Sequence, residues 1–262
     1  MVNNKEKIPA LQTRQWESFF DVQLARTENN CNSNTAEKKP HCTNSGSQTS
    51  DTAVQPVALA GYEHIVAVDT VTFIHSTLRE RLQRLQLSAR QIEKAIQGLL
   101  SKGLIKQVWL GKSLALAPTE KLYLLLGMDC PYRRNRWDVH SFLVLMAAKL
   151  IQVNPLVRRV RQEVALDDNT MVDLVSYAKT GQRWAWEITH RCTTNIAGHA
   201  AKLQGKGFAQ IIFLCTDWNV REKTWAVLRS AGFAPDFFAT IRVTIFSALL
   251  RQKKQMMLKD IR

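Results

Sequence analysis

Two acidic side chains in the segment 171–190 (MVDLVSYAKTGQRWAWEITH) lie within otherwise apolar sequence. Asp173 and Glu187 are each flanked by apolar residues, among them Trp186 and Ile188. A carboxylate in such a run must be paired, protonated or bound to a cation, because burying an isolated charge is costly. Two carboxylates on neighbouring strands can bind one divalent metal ion. The segment therefore predicts a pair of metal-binding acids on a β-hairpin.

An Asp, a hairpin and then Glu-x-Lys at the end of the next strand form the signature of the PD-(D/E)XK, or restriction-endonuclease-like, family, which this segment resembles. Here the third element is Glu187-Ile188-Thr189, so threonine stands where the family has lysine. The resemblance implies that Asp173 and Glu187 are the metal-binding and catalytic acids, with Mg²⁺ as cofactor and DNA as substrate. It also implies that Lys202, on the helix after the Glu187 strand, replaces the missing lysine.

The sequence around the hairpin predicts an element order that agrees with this resemblance. From residue 138 onward the pattern indicates α-β-β-β-α-β-α-β, and AQIIFLC at 209–215 has the composition of a central strand covered on both faces. We therefore predict an α/β fold (α+β overall), in which an N-terminal winged helix precedes a restriction-endonuclease-like αβββαβ core. The alternative is an unrelated α/β domain whose acids are solvated at strand ends. Glu163, one strand before the hairpin, is a further acidic candidate, but it alternates with Arg159 and Arg161 and is expected to face solvent.

The segment 61–127 predicts the winged helix, and its pattern indicates one or two helices from Thr70 to Leu87. Ser88 and Gln91 have the spacing of a capping box, and an apolar stripe follows at helical period. Two strand-like segments then meet at Gly111, which predicts a β-wing. The order of elements resembles a winged-helix domain, which implies contacts with DNA through the exposed helix face and the wing. The alternatives are a solvated helix face and a protein-docking module. The candidate DNA contacts are Arg90, Lys94, Gln97 and Lys112.

An arginine-rich joint, residues 128–137 (MDCPYRRNRW), connects the two predicted domains. Arg133, Arg134 and Arg136 lie between Tyr132 and Trp137, a mixture that favours phosphate contact and base stacking. Linker arginines without such a role are the alternative. We therefore add these three arginines to the candidate DNA contacts.

Charge is distributed unevenly along the chain. Residues 1–60 carry six basic and six acidic side chains, residues 61–127 carry nine and five, and residues 128–262 carry twenty-one and eleven. The net charge of +14 therefore falls entirely on the segments with folded patterns, which favours a polyanionic partner such as DNA. We predict four regions: a disordered polar tail (1–60), a winged helix (61–127), an endonuclease-like domain (128–250) and a basic C-terminal tail (251–262).

Cysteine usage and hydropathy indicate the cellular compartment of the protein. Five cysteines with irregular spacing do not form a disulfide pattern, and no apolar run has the roughly 18 residues that a membrane span needs. We therefore expect a cytoplasmic protein without membrane contact. Cys31, His41 and Cys42 could suggest zinc, but their spacing matches no common finger, so free thiols in a polar tail are the favoured interpretation.

The whole of residues 61–230 is similar to a winged-helix plus endonuclease-like module of conjugative and other mobile elements, which is also found at the C-terminal end of DNA-translocating ATPases. The stretches that carry this resemblance include SARQIEKAIQGLLSKGLI and VDLVSYAKTGQRWAWEIT. It implies DNA processing by metal-dependent hydrolysis of phosphodiesters, a separate ATPase as a possible partner, and a possible homodimer. The alternatives are a catalytically inactive DNA-binding or adaptor protein and a winged-helix transcription regulator.

Overall fold

The first part of the described chain is a group of helices followed by a hairpin. The computed structural model describes residue 59 and residues 61–132, 137–191 and 195–259. The elements of the first part, in chain order, are α1 (Tyr62–Thr72), α2 (Leu78–Leu85), α3 (Ala89–Ser101), β1 (Ile105–Leu110), β2 (Ser113–Pro118) and α4 (Glu120–Leu125).

Helix α3 forms where local signals predict it. The Ser88 hydroxyl accepts from the backbone N–H of Gln91 at 3.3 Å, and the Gln91 side chain accepts from the Ser88 N–H at 2.9 Å. This reciprocal capping box satisfies two backbone donors at the start of the helix. The apolar face of α3 is buried through Ile92, Ala95 and Leu99. The predicted helix and its cap are confirmed.

The second part of the chain alternates helices and strands. Its elements are α5 (Val139–Gln152), β3 (Val157–Ala165), β4 (Met171–Ala178), β5 (Arg183–Thr189), α6 (Ile196–Leu203), β6 (Gln210–Cys215), α7 (Trp218–Ser230), α8 (Pro235–Phe238), β7 (Ile241–Ile245) and α9 (Phe246–Lys259). The predicted order is found, with the short helix α8 added between α7 and β7. The mixed α/β class is therefore confirmed.

Strands β3 to β7 form one five-stranded mixed sheet in chain order. Strands β3, β4 and β5 are antiparallel neighbours, whereas β5, β6 and β7 run parallel. Strand β6 is buried from Ile211 to Cys215, which confirms the predicted central strand. The parallel direction brings the carboxyl ends of β5, β6 and β7 to one edge of the sheet.

Helices cover the sheet and bury its apolar side chains. Helix α5 is buried continuously from Ser141 to Ala148. A separate apolar cluster joins α6 and α7 to the sheet through Ala200, Leu228 and the strand residues Ala185 and Phe213. Residues 56–262 form one compact unit. Among the described helices, none combines the length and the apolar character that crossing a bilayer requires.

Two features differ from the sequence-based expectation. The first described helix begins at Tyr62, although the pattern predicted helix only from Thr70. Glu163 on β3, expected to face solvent, is half-buried and has a backbone φ of 46°. This left-handed conformation is uncommon for a residue other than glycine.

Some residues that the sequence singled out lie outside the described residues. They are the joint arginines Arg133, Arg134 and Arg136, and the tail residues Cys31, His41 and Cys42.

Candidate functional site

The predicted acids lie opposite each other on β4 and β5. Leu174 pairs with Trp186, so the next step of the antiparallel register places Asp173 opposite Glu187. The regular ladder ends at this point, and the Ile188 N–H instead donates to Asp173 Oδ2 at 2.7 Å. The structure therefore brings together the two acids that the sequence singled out.

Strand alternation explains why Glu187 is on the face that it occupies. Trp184, Trp186 and Ile188 point to one face of β5, so Glu187 and Ala185 point to the other. Trp186 is fully buried, and its indole N–H donates to Ser176 Oγ at 2.8 Å, which anchors β5 to β4. The aromatic face thus fixes the register that presents the acid.

Glu163 extends the acidic pair to a third strand by register. It lies between the β3–β4 pairs Gln162–Leu174 and Val164–Val172, which places it opposite Asp173. One row across β3, β4 and β5 therefore contains three acids. The left-handed backbone at Glu163 is a local strain of the kind that clusters at functional sites.

Two histidines contact the central acids. His140 Nε2, in the first turn of α5, lies 3.1 Å from Asp173 Oδ1. His199 Nδ1, on α6, lies 3.2 Å from Glu187 Oε2. The ring of His190, just after β5, has its centroid 6.1 Å from that of His140. Each acid of the pair is thus bonded to a histidine from a different helix.

The ionisation of this cluster departs from that of solvated side chains. Burial raises the pKa of Glu187, which is only 6% exposed, and the nearby charge of Asp173 acts in the same direction. The hydrogen bond to Asp173 raises the pKa of His140, and that to Glu187 raises the pKa of His199. Burial instead lowers the pKa of His190. Glu187, His140 and His199 therefore hold protons more tightly than isolated groups would, whereas His190 holds its proton less tightly.

The position of the family's lysine is occupied by a buried hydroxyl. Thr189 is 8% exposed at the end of β5. Lys202 lies on α6 with an exposed side chain one turn from His199, and its charge only partly opposes the rise in the pKa of His199 that the hydrogen bond to Glu187 causes. Among the described contacts it is His199, rather than Lys202, that bonds to Glu187. The role assigned to Lys202 stays a prediction.

The donor set suits a hard divalent cation. Within the described residues, no group of three or more His, Cys, Asp or Glu side chains is arranged to hold a metal ion. Mg²⁺ is commonly bound by one or two carboxylates, with water and substrate phosphate completing its octahedron. The facing carboxylates of Asp173 and Glu187 fit that donor chemistry.

The candidate DNA contacts of α3 form one exposed stripe. Arg90, Lys94 and Gln97 are all exposed, and the spacing of four and three residues places them on one face of the helix. Arg90 and Lys94 also line a cleft of about 640 Å³ beside Tyr62 at the start of α1. This face lies opposite the buried stripe of α3, so it is accessible to a partner.

Lys112 lies apart from that stripe, at the exposed turn between β1 and β2. It lines a second cleft of about 520 Å³, which has no lining residue in common with the first. The structure therefore places the four described candidate DNA contacts on two surfaces.

His140 is the site residue that the sequence pattern missed. It lies 33 positions before Asp173 and belongs to a different element, so no local spacing connects the two. His190 and His199 were recognisable as titratable side chains beside the motif, but nothing in the sequence indicated that they contact the acids.

Comparison with known proteins adds nothing to these residues: no protein-family model and no curated protein sequence matches this chain.

Proposed function

We propose that this chain is a DNA-binding protein with a PD-(D/E)XK-like nuclease site, which hydrolyses phosphodiester bonds with the help of Mg²⁺. The observation that carries the proposal is the placement of Asp173 opposite Glu187 at the end of the β4–β5 ladder. A carboxylate as buried as Glu187 must be paired, protonated or bound to a cation, and a metal-binding role would meet this requirement.

The order of elements supports the fold on which this proposal relies. Three antiparallel strands, a helix and a parallel strand follow α5, as an endonuclease-like αβββαβ core requires. The helices and the hairpin of residues 61–127 have the order of a winged helix, whose exposed helix would enter the major groove. Arg90, Lys94 and Gln97 would then contact DNA.

The residues of the site have separable roles in this proposal. Asp173 and Glu187 would hold the cation, which would polarise the scissile phosphate and make the attacking water easier to deprotonate. His199 bonds to Glu187 through Nδ1, so in the neutral ring with the proton on Nδ1 the other nitrogen, Nε2, would accept the proton from the attacking water. His140 orients the Asp173 carboxylate through Oδ1. The imidazole of His199 thereby replaces the basic group that Thr189 cannot supply.

Cleavage of supercoiled plasmid, linear duplex and single-stranded DNA with Mg²⁺ or Mn²⁺ tests this proposal. Asp173→Asn and Glu187→Gln should abolish cleavage, and His199→Ala should slow it by about 100-fold or more. Asp168→Asn, which changes an exposed acid in the β3–β4 turn, is the matched control and should retain activity. Lys202→Ala distinguishes the two bases: a larger loss than in His199→Ala would assign the role to Lys202.

A second function, DNA binding without hydrolysis, is favoured by one specific observation. Both carboxylate oxygens of Asp173 already have partners, Oδ2 the Ile188 N–H and Oδ1 the His140 ring. An acid bonded in this way can serve to close the β4–β5 ladder. Binding of DNA with no cleavage under either metal, unaltered in Asp173→Asn, would establish this function and reject the nuclease.

A further inference from the structure

The second cleft, of about 520 Å³, lies between the β1–β2 turn, the start of α7 and the helix α9. Its walls include Lys112 and Leu114 from the hairpin, Trp218 from α7, and Leu250 and Arg251 from α9. The N-terminal hairpin and the C-terminal helices therefore build one concave site together.

The cleft lies at the edge of the sheet to which β5 also brings Glu187. Thr216, just after β6, and Ile245, at the end of β7, both line it. The Thr216 N–H donates to the backbone carbonyl of Thr189, two residues beyond Glu187 on β5. Ligands of open α/β sheets bind outside the carboxyl ends of the strands, which is where this cleft lies.

The lining combines an aromatic surface with positive charge. Trp218 is 39% exposed, and the guanidinium of Arg221 lies 4.4 Å from the centre of its ring. Lys112 and Arg251 add cationic side chains to the walls. Asp217 is the one acid among the described lining residues, and its Oδ1 is engaged in capping α7 by accepting from the Val220 N–H at 2.9 Å. This chemistry favours a ligand with a planar ring and a phosphate.

We propose that this cleft binds an unpaired nucleotide of single-stranded DNA. The base stacks on Trp218, while Lys112 and Arg251 contact the flanking phosphates. A cleft of this volume holds one nucleotide and is too small for a duplex. The inference rests on the proposed function and specifies its substrate class: DNA with an unpaired end, flap or gap beside the duplex that α3 contacts.

DNA binding measured with a chelator present tests the cleft separately from the nuclease, because the chelator removes the metal ion that cleavage needs. Fluorescence anisotropy with labelled dT₁₅ and a labelled 15-bp duplex should show Trp218→Ala weakening dT₁₅ binding about tenfold, with duplex affinity unchanged. Trp218→Phe, which keeps an aromatic face, should restore most of the affinity. Lys112→Ala should weaken dT₁₅ binding and reduce its salt dependence, whereas Lys106→Ala, an exposed lysine on the same hairpin, should do neither. Matching thermal midpoints would establish that each variant is folded.

Three results would overturn the inference. The first is dT₁₅ affinity that Trp218→Ala leaves unchanged, and the second is an equal loss for duplex and dT₁₅. The third is complete competition by micromolar dTMP, which would assign the cleft to free nucleotides. The proposed nuclease fails on a different readout: absence of cleavage with dT₁₅ binding still dependent on Trp218 would reject hydrolysis and retain the cleft.

Discussion

His75, in the cleft wall between α1 and α2, provides a quantitative test of the described packing. Its Nδ1 atom is buried without a hydrogen-bond partner among the described residues. Burial, reinforced by the charge of Lys253, lowers the pKa of His75 from 6.5 to about 4. Glu80 opposes this shift, whereas Arg84 and Lys149 add to it. Between pH 6.5 and about pH 4, the unfolded chain therefore binds a proton at His75 that the folded protein does not bind.

The sign and size of the pH effect follow from this difference. Because the unfolded chain binds the proton near pH 6.5 and the folded chain only near pH 4, stability is highest above pH 6.5 and falls as the pH is lowered toward 4. At pH 5 the His75 contribution to the loss is at most about 2 kcal/mol, since each pKa unit corresponds to about 1.4 kcal/mol. His75→Gln should remove this contribution.

Urea unfolding of wild type and His75→Gln at pH 8 and pH 5 measures the effect directly. From pH 8 to pH 5, the free energy of unfolding of wild type should fall by up to about 2 kcal/mol more than that of the variant. His64→Asn, which removes an exposed imidazole from α1, controls for the loss of one histidine. If the free energy of unfolding depends on pH equally in wild type and His75→Gln, the argument from burial of His75 is refuted.

Three further substitutions test individual contacts by urea unfolding. Asp69→Ala leaves the fully buried Arg81 without its counter-ion and should lower the free energy of unfolding by about 3–5 kcal/mol; a loss below about 1 kcal/mol would contradict this. Ser88→Ala removes the cap of α3 and should cost about 1 kcal/mol, with a stability equal to wild type as the contrary result. Tyr132→Phe removes the 2.5 Å hydrogen bond to the Pro118 carbonyl and should cost about 1 kcal/mol; no loss would mean that this carbonyl gains another partner.

Elements with strong local signals were predictable from the sequence. The capping box at Ser88, the turn at Gly111 and the apolar run of β6 each specify structure through neighbours in the chain. The two acids were also predictable, because a carboxylate among buried strand residues is conspicuous whatever the fold. Local physics therefore accounts for the elements and for the centre of the site.

The start of helix α1 was predicted too late in the chain because its apolar residues do not form one stripe. Ile65 and Val68 are exposed, whereas Asp69 and Thr70 are buried. Asp69 is buried because it accepts hydrogen bonds from Arg81 and from a second arginine on α2. A helix that buries an ion pair and exposes aliphatic residues does not show the periodicity on which sequence prediction depends.

The histidines that bond to Asp173 and Glu187 could not be predicted from the local sequence, for a different reason. Contact between His140 and Asp173 joins α5 to β4 across 33 residues, and it exists only once the sheet has assembled. The left-handed backbone at Glu163 is equally a property of the assembled sheet. Contacts of this kind join residues that are far apart in the chain, so residue spacing does not predict them.

The position of β3 at the margin of the sheet affects how copies of this protein meet. A strand with one unpaired side is a template for adding a strand from another molecule, which leads to aggregation. Strand β3 carries the exposed side chains of Arg158, Arg159 and Arg161, and its pairing with β4 is irregular between Val157 and Arg159. Repulsion between these arginines and the distorted backbone oppose joining of two β3 strands. A dimer of this chain is therefore expected to form through a surface other than β3.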